Sequence, residues 1–348
     1  MATPALRAIA ELPSLQELIL VGKPGPLSVL EGLSYSQNQI VYKPRSRSKE
    51  CLSRRGVAEA LRKRRVDAVV LLPNSLSTGV MAWLSGTAER IGFAKNGRGI
   101  LLTKPIGIRS KTDAGIHVDW SRQPAIDYYL HLAGQLGAKT SDRRMELAVR
   151  ELDRVAADNL LKQVGFDRSQ KLIVVNNASG SSPARLLPEE QVVQFAKRLA
   201  EDGNQVLFHA GPADRNNSLS YARAAGHPKV RSMGESETLP IGLTRGLISA
   251  ADLLVTTDSG PRHIGVALGK RVMTLFGPTV VDLTRTYNVP EVIMETSQTC
   301  RPCGKDVCPL KHQKCLRELG PERLYREAKR AIIHSGSPDR FQSTPAAA

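Results

Sequence analysis

Long apolar runs are the first thing missing from this sequence. No uninterrupted apolar stretch approaches the roughly 20 residues that a helix needs to cross a bilayer, so nothing in it reads as a spanning helix. Met1-Ala2-Thr3-Pro4-Ala5-Leu6-Arg7 shows no basic segment leading into an apolar one, hence no visible export signal. A cytoplasmic setting is the expectation. Aromatic residues are scarce at 4%, and none interleaves with the basic stretch described below, which argues against a base-stacking surface for nucleic acid. Cysteine is limited to 5 residues, an odd number that suits a reducing compartment better than a disulfide scaffold. No Asp-x-Asp pair occurs, which removes a common divalent-ion ligand for diphosphates. No G-x-G-x-x-G follows an apolar run, which leaves a nicotinamide dehydrogenase poorly supported. No repeat of fixed period is present.

What is present is an ordinary globular composition, 41% hydrophobic over 348 residues, enough for two domains with separate cores. The net charge of +16 calls for an anionic partner. Half of that excess lies between Lys43 and Arg65, where ten basic residues face only Glu50 and Glu59. A solvated helix face is the bland explanation; the functional ones are a phosphorylated lipid head group, an anionic membrane surface or nucleic acid.

Short β-branched runs alternate with helix-period segments, the pattern of parallel α/β layers. Strands are expected at 17–22, 39–42, 67–73, 171–175, 205–209, 252–257 and 271–276. Helices are expected at 54–64, 76–85, 124–136, 188–200, 239–250 and 261–268. A hinge is expected at 165–169, and the tail from Ser335 reads as disordered. Two open parallel sheets place their chemistry in loops after the strands, facing a cleft.

The sharpest of these loops is Asp258-Ser259-Gly260-Pro261-Arg262-His263. It follows the apolar run 252–257 and opens a helix. Asp258 or Ser259 can cap that helix, Pro261 suits its first turn, and Gly260 offers no Cβ to an approaching ligand. Free N–H groups and the positive end of the helix dipole then favour a phosphate, with His263 as a further donor. The competing reading is plain helix capping with a structural histidine.

Thr257-Asp258-Ser259-Gly260, His263, Ala267-Leu268-Gly269-Lys270 and Leu275-Phe276-Gly277-Pro278-Thr279 together resemble the signature of the ADP-heptose:lipopolysaccharide heptosyltransferases, most of all the branch that adds the second heptose. The resemblance runs from Thr3 to about Arg330. It implies α/β architecture with two Rossmann-like domains facing a cleft, the GT-B fold. Residues 1–166 would bind acceptor, 167–335 the sugar nucleotide, and 336–348 would form the tail. It implies a donor site at Asp258, Ser259, Gly260 and His263.

The small-residue loop Asn176 to Glu190 resembles the family's phosphate-side loop. Ser179 belongs to it, and Arg185 stands where the family has a lysine, a cation able to steady the departing diphosphate. Leu207 to Arg215 resembles the next strand and turn, with Gly211 near the ligand. Asn74, Ser75 and Arg98 fall in segments resembling the acceptor side, against the alternatives of a helix cap and a solvated arginine.

Cys300-x-x-Cys303, Cys308 and Cys315 have spacing able to surround one structural zinc, or else remain free thiols. The family carries a strand and a Gly-Asp loop, with its general base, just ahead of a segment like residues 1–9. The first domain is therefore expected to be incomplete, and no carboxylate in this sequence takes the base's role by position.

The resemblance implies inverting transfer of heptose from ADP-heptose to the anionic lipopolysaccharide inner core. No cofactor is expected for the chemistry, contact with the inner-membrane face is expected to be peripheral, and no nucleic acid is expected as a partner. The alternative is an inactive sugar-nucleotide-binding or regulatory protein of the same fold.

Overall fold

A computed structural model describes residues 1–44, 51–111, 117–178, 180, 182–287 and 289–333. It divides into two compact units, Met1–Ala148 with Asp282–Arg285, and Val149–Val281 with Thr286–Ala348.

In the first unit the order is α1 (Thr3–Ala10), β1 (Leu20–Gly22), α2 (Pro24–Leu30), β2 (Gln39–Val41), α3 (Arg54–Lys63), β3 (Ala68–Leu71), α4 (Leu76–Leu84), β4 (Glu89–Phe93), β5 (Lys104–Ile106), β6 (Arg109–Lys111), β7 (His117–Asp119) and α5 (Ala125–Gly134). Strands β1 and β2 pair in parallel, β3-β4-β5 form a second parallel sheet, and β6 and β7 pair antiparallel.

The second unit continues with α6 (Glu151–Gln163), β8 (Leu172–Asn176), α7 (Glu189–Glu201), β9 (Gln205–Phe208), α8 (Arg215–Ala225), β10 (Val230–Ser232), α9 (Ile241–Ala250), β11 (Leu253–Thr257), α10 (Gly260–Ala267), β12 (Val272–Leu275), β13 (Glu291–Met294), α11 (Lys314–Arg317) and α12 (Pro321–Ile333).

The second sheet is parallel throughout, with order β10-β9-β8-β11-β12-β13. The strand order reverses between β8 and β11, so the loops after those two strands flank the crevice where such sheets take ligands. Leu172-Ile173-Val174-Val175 and Leu253-Leu254-Val255 are buried at every residue, as central strands covered on both faces must be. On one face of the sheet Ile173, Val175, Leu253 and Val255 join Phe195, Phe208, Leu275 and Leu316 in one continuous core.

Applied to the first unit, the same order leaves a gap. The strands run β2-β1 and β3-β4-β5, and among the described residues none occupies the place that β8 fills in the other sheet. Val69 of β3 packs against the same buried cluster around Ile40 as Ile19 and Val21 do, yet β1 and β3 are not hydrogen-bonded, and three of β3's four residues stay partly exposed. The core of this unit is correspondingly divided into smaller groups around Ile40, Leu20, Phe93 and Leu71.

The expected hinge at 165–169 is displaced: the units divide at Ala148 and Val149. The reason is helix α6, which packs tightly on α9. A Cβ at Gly246 would lie 2.1 Å from the Asp153 carbonyl, and one at Gly242 2.4 Å from Asp153 Oδ1. Asp153 and Arg245, 2% and 1% exposed, close the contact with an ion pair, Nε to Oδ2 2.8 Å. Interlocked backbone and a buried charge pair bind this helix to the second unit. The expected tail, 336–348, lies outside the described residues.

Candidate functional site

The loop after β11 is built on buried charge. Arg262, fully buried on α10, donates to Asp258 Oδ1 at 3.1 Å and to both oxygens of Glu291 on β13, at 2.6 and 3.2 Å. Thr274 and Thr286 hydroxyls also donate to Glu291. Burial alone would raise the Glu291 carboxyl, but Arg262 and these hydroxyls outweigh it and hold it below the ordinary range. The side chain of Asp258 therefore faces inward at this contact and anchors the turn from behind.

Ser259 occupies the position before the helix in extended backbone, but its hydroxyl does not cap α10. It sits instead 2.9 Å from Asn176 Nδ2, at the end of β8. The first turn thus keeps its N–H groups free of any side-chain cap, with Pro261 contributing none by its chemistry. A Cβ at Gly260 would meet nothing within 4 Å, so the space over that turn is open.

Arg185 reaches this loop from the segment after β8. Its Nη1 donates to the Asp258 carbonyl at 3.3 Å, while its buried Nε has no partner. His263 Nδ1 is likewise buried without a partner. Burial, and then the adjacent Arg262, push the His263 imidazole down to about 3, so it is neutral near pH 7 and donates through one nitrogen only. An open helix start, an arginine beside it and an unpartnered imidazole can together receive an anion.

Four of the expected donor residues thus lie on one loop and the fifth, Arg185, touches it. Ser179 lies outside the described residues. Gly211 begins the turn after β9 with an ordinary φ of -88°, and a Cβ there would have only a 3.7 Å contact with Asp214, so sterics impose no glycine.

The expected acceptor residues come together in the first unit, but Arg98 needs correction. It is fully buried, donating to the carbonyls of Phe93 (2.9 Å) and Pro73, to Thr78 Oγ1 at 3.3 Å and to Asn74 Oδ1 at 3.1 Å. With its guanidinium committed to these internal acceptors, it is a strut for the loop after β3. Asn74 is shared between Arg98 and the Tyr128 hydroxyl, 3.0 Å away. Ser75 caps α4 by accepting from the Thr78 N–H at 3.3 Å.

Cys300, Cys303, Cys308 and Cys315 are free thiols, and among the described residues no three histidine, cysteine or acidic side chains form a group able to hold an ion. Cys308 is held below the ordinary thiol range by backbone N–H groups, that of Gln313 foremost and then those of Leu310, His312 and Lys311.

Sequence reasoning missed Arg262, Glu291, Asn176 and Thr244. Arg262 lies inside the motif itself, but a charged residue on a first helical turn reads as solvated. Its burial depends on Glu291, 29 positions later.

Two parallel α/β units, one with an open helix start at its switch point, define a GT-B glycosyltransferase architecture. The chain belongs to glycosyltransferase family 9 (heptosyltransferase), whose model matches residues 54–314. It is 25% identical over 169 residues to lipooligosaccharide heptosyltransferase 2 of Campylobacter jejuni serotype O:2, covering 48% of this chain and only 52% of that relative, about half its length. With lipopolysaccharide heptosyltransferase 2 of Salmonella typhimurium it shares 23% over 291 residues, 81% of this chain and 80% of the relative. The fold matches a family 9 glycosyl transferase from Veillonella parvula with a TM-score of 0.78, at 20% identity, over 96% of this chain and 93% of the other. It matches the Escherichia coli ADP-heptose lps heptosyltransferase II with a TM-score of 0.72, at 19% identity, over 97% and 95%.

Proposed function

We propose that this chain is an inverting glycosyltransferase that moves heptose from ADP-heptose to the inner core of lipopolysaccharide. The observation that carries the reading is the uncapped start of α10, with Arg185 against its loop and His263 unpartnered beside it. In the proposed reaction an acceptor hydroxyl attacks the anomeric carbon as the bond to the diphosphate breaks, and negative charge grows on the leaving oxygen. Backbone N–H groups of α10, the Arg185 guanidinium and a His263 N–H stabilise that charge without reorganising. The relatives named for heptose transfer to lipooligosaccharide and lipopolysaccharide support the donor and acceptor classes.

Acceptor binding is assigned to the first unit, with Asn74 and Ser75 as candidates. Peripheral membrane contact is supported by the exposed basic residues Arg62, Lys63, Arg64 and Arg65 and by the exposed apolar side chains Trp83 and Ile100. Among the described residues, no helix is long and apolar enough to cross a membrane.

The second reading is a donor-binding protein without turnover. The test is ADP release from ADP-heptose with and without a Kdo- or heptose-bearing lipid A acceptor. Acceptor-dependent release supports the transferase; tight ADP binding with no release under any acceptor supports the second reading; no ADP binding removes both.

A further inference from the structure

Behind the donor loop runs a chain of buried polar groups that the proposed reaction leaves without a task. His209, just beyond β9, places Nδ1 2.9 Å from Asn176 Oδ1 and Nε2 3.0 Å from Thr244 Oγ1 on α9. Asn176 Nδ2 lies 2.9 Å from both Thr256 Oγ1 and Ser259 Oγ. His209, Asn176, Thr244 and Thr256 are all buried; Ser259 alone of the five is partly open.

Proton counting orders this chain. Thr256 has a single hydroxyl proton, and it is directed at the Thr257 carbonyl, 2.8 Å away. It can therefore only accept from Asn176, which makes the Asn176 NH2 group the donor and leaves its carbonyl oxygen facing His209. His209 must then carry its proton on Nδ1, and its bare Nε2 accepts from the Thr244 hydroxyl. At the far end Ser259 accepts from Asn176, so its lone pair is occupied from behind and its own proton is free to turn outward. Within the loop that proton has the Thr257 carbonyl, 3.2 Å away, and the Thr256 hydroxyl oxygen at 3.5 Å. An anionic phosphate oxygen is the stronger acceptor.

We propose that His209 is a positioning residue of the donor site. Backed by Thr244, it locks the Asn176 carboxamide so that Ser259 presents its hydroxyl proton to the diphosphate at the first turn of α10. Directional hydrogen bonds pass the orientation from one side chain to the next, so a change at His209 reaches the ligand without touching it. This rests on the reading that a nucleotide diphosphate binds there.

The experiment uses the full chain and five variants: His209→Leu, which removes the donor; His209→Asn, which keeps an N–H near the Nδ1 position; Thr244→Val; Ser259→Ala; and the double variant His209→Leu with Ser259→Ala. ADP affinity is measured by calorimetry, and KM for donor and for acceptor by ADP release. His209→Leu is expected to weaken ADP binding about tenfold and raise donor KM similarly, the acceptor KM staying put. His209→Asn should recover most of the loss. His209→Leu should add nothing to Ser259→Ala, because both remove the same interaction. Losses that multiply in the double variant, or an asparagine variant as weak as the leucine one, would overturn the proposal.

The ¹⁵N-resolved side-chain amide of Asn176 gives a readout independent of ligand. It must shift in His209→Leu and Thr244→Val, and an unmoved signal refutes the relay. If that signal shifts while the unaltered protein fails to bind ADP, the donor reading fails and the proposed role for His209 fails with it. If ADP binds and the signal does not move, only the relay is lost.

Discussion

At the scale of single residues, the site depends on side chains whose contacts differ from their appearance in the sequence. Arg185 looks like one surface arginine among many, yet it reaches the Asp258 carbonyl beside the start of α10. Arg185→Ala is expected to lower kcat/KM with ADP-heptose by about 10²-fold, the scale for losing one preorganised donor to a developing anion. Arg185→Lys should keep more of the rate, since it retains the charge and loses the planar fork. Steady-state kinetics of the two variants check this; equal rates for alanine and arginine would remove Arg185 from the reaction.

The histidines set a second expectation at this scale. Burial pushes His209 down to about 4. A base that is harder to protonate in the folded chain loses stability as pH falls below its unfolded value of about 6.5, because the unfolded chain takes the proton first. The loss runs at about 1.4 kcal/mol per pH unit for one such group and levels off near the folded value. Urea denaturation at pH 7 and pH 5 should show the decline for the native chain. His209→Asn should flatten it, leaving the share of His263.

At the scale of elements, two contacts hold the second unit in shape. Helices α6 and α9 touch so closely at Gly246 that no Cβ fits beside the Asp153 carbonyl. Gly246→Ala is expected to destabilise by about 3 kcal/mol or more, because backbone rather than a movable side chain must yield. Thermal melting measures it, and an unchanged Tm would show that the helices can part without cost.

The other contact is Arg262 between Asp258 and Glu291. Arg262→Ala leaves two buried carboxylates without their cation and should cost about 3–5 kcal/mol. Because Asp258 is then released, ADP affinity should fall as well. Glu291 adds an acid dependence: its folded pKa lies below the unfolded value of about 4.3, so its stabilisation is present above that pH and is lost as pH falls through the folded value.

Much of this scale was legible in the residues. Each expected strand and helix occurs within a few positions, because β-branched runs and period-3.6 faces are local properties. The displaced hinge was not legible. Helix α6 has a polar sequence, and its allegiance to the second unit rests on Asp153 meeting Arg245, 92 residues away.

At the scale of the molecule, a family 9 chain without an Asp-x-Asp pair is expected to support its leaving group with helix and arginine. ADP release should therefore survive a chelator such as EDTA, measured before and after metal-free dialysis; a loss restored by magnesium would contradict that electrostatic scheme. The basic surface belongs to this scale too, since its charges add over a Debye length of about 8 Å at physiological salt.

The sequence by itself determined the class of the molecule. The alternation of short apolar strands with amphipathic helices dictates parallel α/β layers, and Asp258-Ser259-Gly260 before a helix carries the resemblance to the family's donor motif, because both are written in consecutive residues. Only tertiary structure decided what those residues do for one another. Asp258 is anchored by Arg262 and Glu291, Ser259 is turned by Asn176 and His209, and Arg98 is buried as a strut. Each of those roles depends on desolvated charges or aligned donors brought together from distant segments. Burial and pairing across such separations are properties of the folded chain, and no local pattern encodes them.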